Sequence, residues 1–143
     1  MADLHTYDPL QIVVIFRGIQ ISGYADGTFV KVERSEDTWS DQVGADGEMT
    51  RVRSRNRSGL ITVTLVAGSP TNQLLAAVQQ EDENFSTGVG SVMVKDLNGL
   101  DLHTGESAWL VKPPDAEYKK EAGEREWRIR VKDLKSNSGG SVL

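Results

Sequence analysis

Residues 51–80 read RVRSRNRSGLITVTLVAGSPTNQLLAAVQQ, and this stretch decides the fold. Up to residue 66 the polar and apolar side chains alternate, which is the period of a β-strand. The polar break at Arg57-Ser58-Gly59 predicts a bend, so we expect a β-hairpin over residues 49–66. The following residues change to a helical period, and the stretch therefore predicts a pair of strands followed by a single helix.

The predicted helix has a clear beginning and one apolar face. Ser69 is a good N-cap, because its hydroxyl can accept a free backbone N–H of the first turn. Pro70 suits the first helical position, where its missing N–H costs nothing. Three apolar side chains then share one face, namely Leu74, Leu75 and Val78. An acidic run follows Gln80, where the helix dipole disfavours it, so we expect the helix to end near Gln80.

Short alternating or apolar runs, separated by turn residues, cover most of the remaining chain. The clearest is Glu126–Lys132, in which large apolar side chains alternate with charged ones. About eight strands with one helix predict a mainly β fold, either a β-sandwich or a partly closed barrel with one flanking helix. We expect residues 10–133 to form one domain, with a polar arm at 1–9 and a flexible tail at 134–143.

Residues 35–48 are predicted to form a long acidic connection between two strands. Such loops are uncommon inside a compact domain and are usually functional or mobile. Trp39 is costly to leave in water, so it either packs back on its own core or docks on another subunit. We expect this segment to be an assembly loop that has no fixed order before assembly.

The amino-acid composition limits the classes of function that this chain can have. The 143 residues contain no cysteine, which excludes thiol nucleophiles and disulfides. The formal net charge of −5 argues against general nucleic-acid binding, which needs basic surface. The N-terminus lacks the pattern of a signal peptide, and no apolar run reaches the about 20 residues of a membrane helix. We therefore expect a soluble protein without a membrane partner.

The usual signatures of catalysis and of metal or cofactor binding do not stand out. His5 and His103 lack the sequence context of a catalytic or zinc-binding histidine. The Gly88-Val89-Gly90 run is too short for a phosphate loop. The 96–101 segment lacks the closing glutamate of a calcium loop. We expect no catalytic residue, metal site or cofactor, and hence no enzyme.

Arg51, Arg53, Arg55 and Arg57 recur at period two, which would place all four on one side of a strand. The row has three interpretations: a solvated face, a nucleic-acid contact, or pairing with acidic residues of a neighbouring copy. Because planar guanidinium groups pair well with carboxylates, we favour the third. The resulting interface candidates are Trp39, Asp41, Arg51, Arg53, Arg55, Arg57, Glu81, Asp82 and Glu83.

Two segments resemble a known family. Residues 12–34 read IVVIFRGIQISGYADGTFVKVER, and residues 88–101 read GVGSVMVKDLNGLD. Together with the acidic 35–48 connection, they resemble the tail tube proteins of contractile-tailed bacteriophages, over residues of about 10 to 133.

This resemblance implies hexameric rings stacked into a hollow tube, with strands of each subunit joining one continuous channel-lining barrel. It implies a sheath protein outside, a tape-measure protein and then DNA inside, and baseplate and tail terminator proteins at the ends. The location implied is the virion tail, after assembly in the host cytoplasm. Our candidates for lining the channel are Thr50, Thr62 and Thr64. The alternative is a small β-barrel that binds nucleic acid through the Arg51–Arg57 stripe.

Overall fold

The computed structural model describes residues 8–99 and 101–138 of the chain. A short 3₁₀ helix, Pro9–Gln11, leads into the first strand. The elements that follow are β1 (Ile12–Phe16), β2 (Ile19–Gln20), β3 (Val30–Arg34), β4 (Trp39–Val43), β5 (Met49–Arg53), β6 (Gly59–Val66), α1 (Thr71–Phe85), β7 (Gly90–Asp96), β8 (Asp101–Leu110), β9 (Glu124–Val131) and β10 (Lys135–Ser138).

Eight of these strands form one antiparallel sheet. Its order is β2-β1-β7-β8-β9-β6-β3, and β10 pairs with the beginning of β8. β4 and β5 form a separate two-stranded hairpin. The inward side chains of the large sheet and of α1 meet in a single apolar core. The expected mainly β fold with one flanking helix is therefore confirmed.

The adjacent strands β6 and β9 contribute a large part of the buried core. On β6 every second side chain is buried, and on β9 the inward residues include Trp127 and Ile129. The register places Ile61 opposite Ile129 and Val63 opposite Trp127. The indole N–H of Trp127 donates to Oδ1 of Asn72 at 2.9 Å, which gives the buried ring a polar partner and ties the start of α1 to the sheet.

The expected hairpin over residues 49–66 is wrong. β6 pairs with β3 on one side and with β9 on the other, whereas β5 pairs with β4. The physical reason is burial: β6 needs neighbours that also present an apolar inner face, and β5 exposes all five of its residues. Residues 54–58 connect the hairpin to β6 without forming a strand.

The helix begins one residue later than the sequence predicts, at Thr71 with Pro70 as its N-cap, and it also ends later. Ser69 Oγ accepts the Thr71 N–H at 3.3 Å and donates to the carbonyl of Ser22 at 2.7 Å. Leu75 is fully buried, whereas the adjacent Leu74 is 51% exposed. The expected end near Gln80 is wrong, because α1 continues through the acidic run to Phe85.

The chain beyond residue 133 differs from the expected flexible tail, because residues 134–138 are ordered against the sheet. The side chain of Leu134 is buried against Gly59, where any larger residue would collide with it. Its backbone N–H donates to the carbonyl of Arg57 at 2.9 Å, and β10 follows directly. Residues 139–143 of the expected tail, and residues 1–7 of the expected arm, lie outside the described residues.

Candidate assembly surfaces

The β4–β5 hairpin stands apart from the sheet. All ten residues of its two strands are exposed, and within the described parts of the chain they pair only with each other. A lone two-stranded hairpin is marginally stable in water. The segment 35–48, expected to be one long loop, contains the strand β4 (Trp39–Val43), so that expectation is wrong for these five residues. Its lack of fixed order before assembly stays a prediction. The exposure of the hairpin makes it a candidate contact surface.

One face of the hairpin is held together by Trp39. The guanidinium of Arg51 lies 3.7 Å from the centroid of the Trp39 ring, and that of Arg53 lies 5.9 Å away. A cation–π contact of this exposed kind contributes about 0.5–1 kcal/mol. Trp39 is 41% exposed and lies outside the core cluster, so its packing against its own core is ruled out. Asp41 lies opposite Arg51 in the register.

The tip of the hairpin combines an apolar pair with a tight acidic turn. Val43 and Met49 lie opposite each other and are 63% and 67% exposed. Between them the N–H of Gly44 donates to the carbonyl of Glu48 at 2.8 Å, and Gly47 has a φ of +88°. This turn was not among the predicted ones, although an Asp-Gly pair at 46–47 is a strong hairpin signal.

The root of the hairpin is fixed to the sheet by polar side chains. Arg130 of β9 donates from Nη1 to Ser35 Oγ at 2.8 Å. Ser58 Oγ donates to the same Ser35 oxygen at 3.1 Å. Across the root, Ser54 Oγ donates to a Glu36 carboxylate oxygen at 2.9 Å. The hairpin therefore leaves the body of the molecule from a defined position beside the end of β9.

The four arginines do not form one row. Arg51 and Arg53 share a face of β5, but the strand ends at Arg53. Arg55 and Arg57 lie in the connection that follows, and the Arg57 carbonyl accepts the N–H of Leu134. The predicted four-residue stripe is thus corrected to a pair, Arg51 and Arg53, that lies beside Trp39. The assignment of these residues to a contact between copies stays a prediction.

The acidic run of α1 is engaged within its own chain. Glu81 accepts from Thr87 Oγ1 at 2.9 Å and pairs with Arg17 at 3.3 Å. The Thr87 hydrogen bond, followed by that of Arg17, lowers the pKa of Glu81. These local partners explain why the helix continues past Gln80 despite the unfavourable dipole.

The two other acidic side chains of the run also have partners nearby. Asp82 accepts the backbone N–H of Gly88 at 3.1 Å, and Glu83 accepts from Gln79 Nε2 at 3.0 Å. Pairing of Glu81, Asp82 and Glu83 with arginines of another copy stays a prediction, and it would compete with these contacts.

β3 leaves one edge of the sheet open. Among the described residues its only strand partner is β6. Two hydrogen bonds, from Thr64 N–H to the Phe29 carbonyl and from Ser35 N–H to the Ser58 carbonyl, show which residues direct their backbone groups toward β6. These are every second residue from Phe29 to Ser35. In that alternation the N–H and C=O groups of Val30, Val32 and Arg34 point away from β6. Such an edge can accept another strand.

The three candidate channel-lining threonines fall on two surfaces. Thr62 and Thr64 are half-buried on the outward face of β6, whereas Thr50 is exposed on the hairpin. The outward face beside β6 carries charges of both signs. Two ion pairs lie on it, Lys31–Glu33 at 3.9 Å and Glu126–Arg128 at 3.0 Å.

Within residues 8–99 and 101–138, no three His, Cys, Asp or Glu side chains are grouped so that they could hold a metal ion. His103 lies in β8, with Nδ1 2.7 Å from Ser136 Oγ, and His5 is outside the described residues. None of the helices described is long and apolar enough to span a membrane.

Solved structures with the same fold come from contractile injection systems and related particles. The sheath-tube complex of the PVC extracellular contractile injection system matches with a TM-score of 0.64 at 10% identity, over 92% of this chain and 91% of that one. The PVC sheath/tube terminator matches with a TM-score of 0.63 at 10% identity, over 96% and 100% of the two chains. The tube terminating cap of the anti-feeding prophage gives 0.57 at 8% identity, over 96% and 94%.

The fold of this chain is therefore one that occurs in contractile injection systems. At the level of sequence, the Bacteriophage PhiTE tail tube protein family matches residues 14–139, and the chain belongs to that family. A curated relative, structural protein ORF10 of Pseudomonas phage KPP10, is 28% identical over 144 residues, which cover 95% of this chain and 83% of the relative. The resemblance to tail tube proteins is thereby confirmed, and the chain is a component of the phage virion.

Proposed function

We propose that this chain forms hexameric rings that stack into the hollow tail tube of a contractile-tailed bacteriophage. The observation that carries the proposal is the open edge of β3, where Val30, Val32 and Arg34 present backbone groups away from the sheet. An exposed edge is an aggregation hazard for a monomer. In a closed ring each copy covers the edge of its neighbour, so no edge remains open.

The outward face of the large sheet is the surface that would line the channel, with Thr62 and Thr64 at its centre. Its mixed charges are partly neutralised by the ion pairs along β3 and β9. A surface without a strong field of either sign would bind phosphates weakly. It would therefore let DNA pass after the tape-measure protein has left. Thr50 would contact a neighbouring copy instead.

The partners follow from this architecture. A sheath protein would enclose the tube, and baseplate and tail terminator proteins would close its ends, after assembly in the host cytoplasm. Two structural neighbours come from a sheath-tube complex and from a sheath/tube terminator, which supports this arrangement. The role is structural, without a catalytic step or a cofactor.

The hairpin would connect one ring to the next. Trp39, Asp41, Arg51 and Arg53 lie on the same exposed face of it, which makes them the strongest of the predicted interface residues. Arg55 and Arg57 at its root, and Glu81, Asp82 and Glu83 of α1, would contribute charge around that contact.

The test compares two substitutions at one position of the open edge. Val32→Pro removes an N–H that points away from β6, so the internal ladder keeps its hydrogen bonds while the neighbour loses a donor. Val32→Ala keeps the N–H and controls for the lost side-chain packing. Negative-stain electron microscopy should show rings or tubes for the wild type and for Val32→Ala, and dispersed subunits for Val32→Pro.

Thermal unfolding of each variant, at concentrations below assembly, checks that the subunits remain folded. A wild-type protein that stays monomeric at high concentration would disprove the proposal. Tubes formed equally well by Val32→Pro would show that the β3 edge is not the contact within the ring.

A further inference from the structure

An apolar recess lies between α1 and the segment that follows β8. Its volume is about 250 Å³, and its wall is mostly apolar. The residues that line it are Ala67, Asn72, Ala76, Gln79, Gln80, Pro113, Pro114, Arg125 and Trp127. Small-molecule sites usually enclose about 300–1,000 Å³ and contain several convergent polar groups. The recess is smaller and more apolar than such a site, which suits the side chains of another protein segment.

One buried polar atom of the recess lacks a partner. Gln79 is 6% exposed, and its Nε2 donates to Glu83. Its Oε1 has no hydrogen-bond partner among the described residues. Buried carbonyl oxygens are nearly always satisfied in native proteins. The recess therefore borders a buried carbonyl oxygen that is unsatisfied in the described part of the isolated chain.

The recess and the hairpin lie at opposite ends of β6. The hairpin root joins β6 at Gly59, whereas Ala67, which directly follows Val66 at the other end, lines the recess. Eight residues at about 3.3 Å each separate these ends by roughly 25 Å. The tip residues are exposed and do not reach the recess of their own chain. A contact between tip and recess would therefore join two copies head to tail, which gives an open stack.

The tip matches the recess in chemistry. Val43 and Met49 form an exposed apolar pair on one face. The turn between them carries two carboxylates, Asp46 and Glu48, and no cation. At the rim of the recess, Arg125 supplies a positive charge that can meet those carboxylates. Apolar side chains would thus enter the recess while opposite charges face each other at its rim.

We infer that the hairpin tip of one copy docks in the α1–Pro113-Pro114 recess of the next copy along the tube. The inference rests on the proposed function, because it names the receptor for the contact between rings. Val43 and Met49 fill the recess, and the acidic turn lies beside Arg125. The partner is a second copy of this chain.

Disulfide trapping tests this contact, and the absence of native cysteine gives it a clean background. One tagged population carries Met49→Cys and an untagged one carries Ala76→Cys; the two are mixed, assembled and oxidised. A disulfide requires Cα atoms within about 4.4–6.8 Å, so a covalent heterodimer reports close approach. The control population replaces Ala76→Cys by Leu97→Cys, because Leu97 is 51% exposed and lies just after β7, outside the recess lining.

We expect the tagged heterodimer to form with Ala76→Cys. With Leu97→Cys its yield should be at least tenfold lower. Tubes that are visible by electron microscopy but give no Met49–Ala76 cross-link would overturn the inference and leave the tube assignment intact. Equal cross-linking to Leu97→Cys would also overturn it, because the contact would then be non-specific. If no tubes form under any condition, both the inference and the proposed function fail.

Discussion

Replacing Leu75 by alanine should weaken the subunit far more than replacing the adjacent Leu74. Leu75 is fully buried in the core cluster, whereas the adjacent Leu74 is 51% exposed. A buried Leu→Ala change removes transfer free energy and leaves a cavity, at a cost of about 2–5 kcal/mol. The same change at Leu74 should stay within about 0.5 kcal/mol, because alanine is also a good helix former.

These values convert into a measurable shift of the melting temperature. At about 2.1 cal/mol/K per residue, a chain of 143 residues unfolds with an entropy of roughly 0.3 kcal/mol/K. Leu75→Ala should therefore lower Tm by about 7–17 °C, and Leu74→Ala by less than about 2 °C.

The assay is thermal unfolding, followed by near-ultraviolet circular dichroism, which reports on the buried Trp127. It must be run below the assembly concentration, because association would raise Tm by mass action. Urea unfolding with an unchanged m-value would confirm that the native state alone is affected. Equal shifts for the two leucines would refute the placement of α1 with Leu75 inward.

Two further predictions concern the hairpin and the acidic run. In a double-mutant cycle of Trp39→Ala and Arg51→Ala, hydrogen exchange of the β4–β5 amides should give a coupling of about 0.5–1 kcal/mol; additive effects would mean that the ring and the guanidinium do not interact. The lowered pKa of Glu81 contributes stability that is present above the ordinary glutamate pKa of 4.5 and is lost as pH falls through the lower folded value. Thr87→Val should move the pKa of Glu81 back toward 4.5 and reduce this loss of stability in acid; an unchanged NMR titration of its carboxyl would contradict the assignment.

Local sequence predicted the elements whose signal is local. The strict alternation around Trp127 and Ile129 predicted β9 correctly. Large apolar residues at a period of two fit a strand that buries one face, and they do not fit the period of a helix. The Ser69-Pro70 pair predicted the start of α1 to within one residue, because both residues act on the first turn. In these cases the residues that determine the structure are also the residues that form it.

Pairing between distant strands could not be predicted in this way. Nothing within residues 49–66 indicates that β6 lies between β3 and β9, since both partners are set by the shape of the whole core. The predicted end of α1 was wrong for a related reason, because Arg17, which helps to hold Glu81, is 64 residues away along the chain. The Asp46-Gly47 turn was predictable, and the arginine alternation that follows it concealed the signal.

Among the proposed assembly contacts, the strand pairing along the β3 edge is too weak to hold two copies together by itself. Val30, Val32 and Arg34 offer about six backbone groups, and each hydrogen bond contributes about 0.5–1.5 kcal/mol net. The total of roughly 3–9 kcal/mol is comparable with the about 4–15 kcal/mol that association costs in lost freedom of motion. The net charge of −5 adds repulsion between copies. A single edge contact would therefore be transient, so ring closure and hairpin docking must act together, since each makes the other effectively intramolecular.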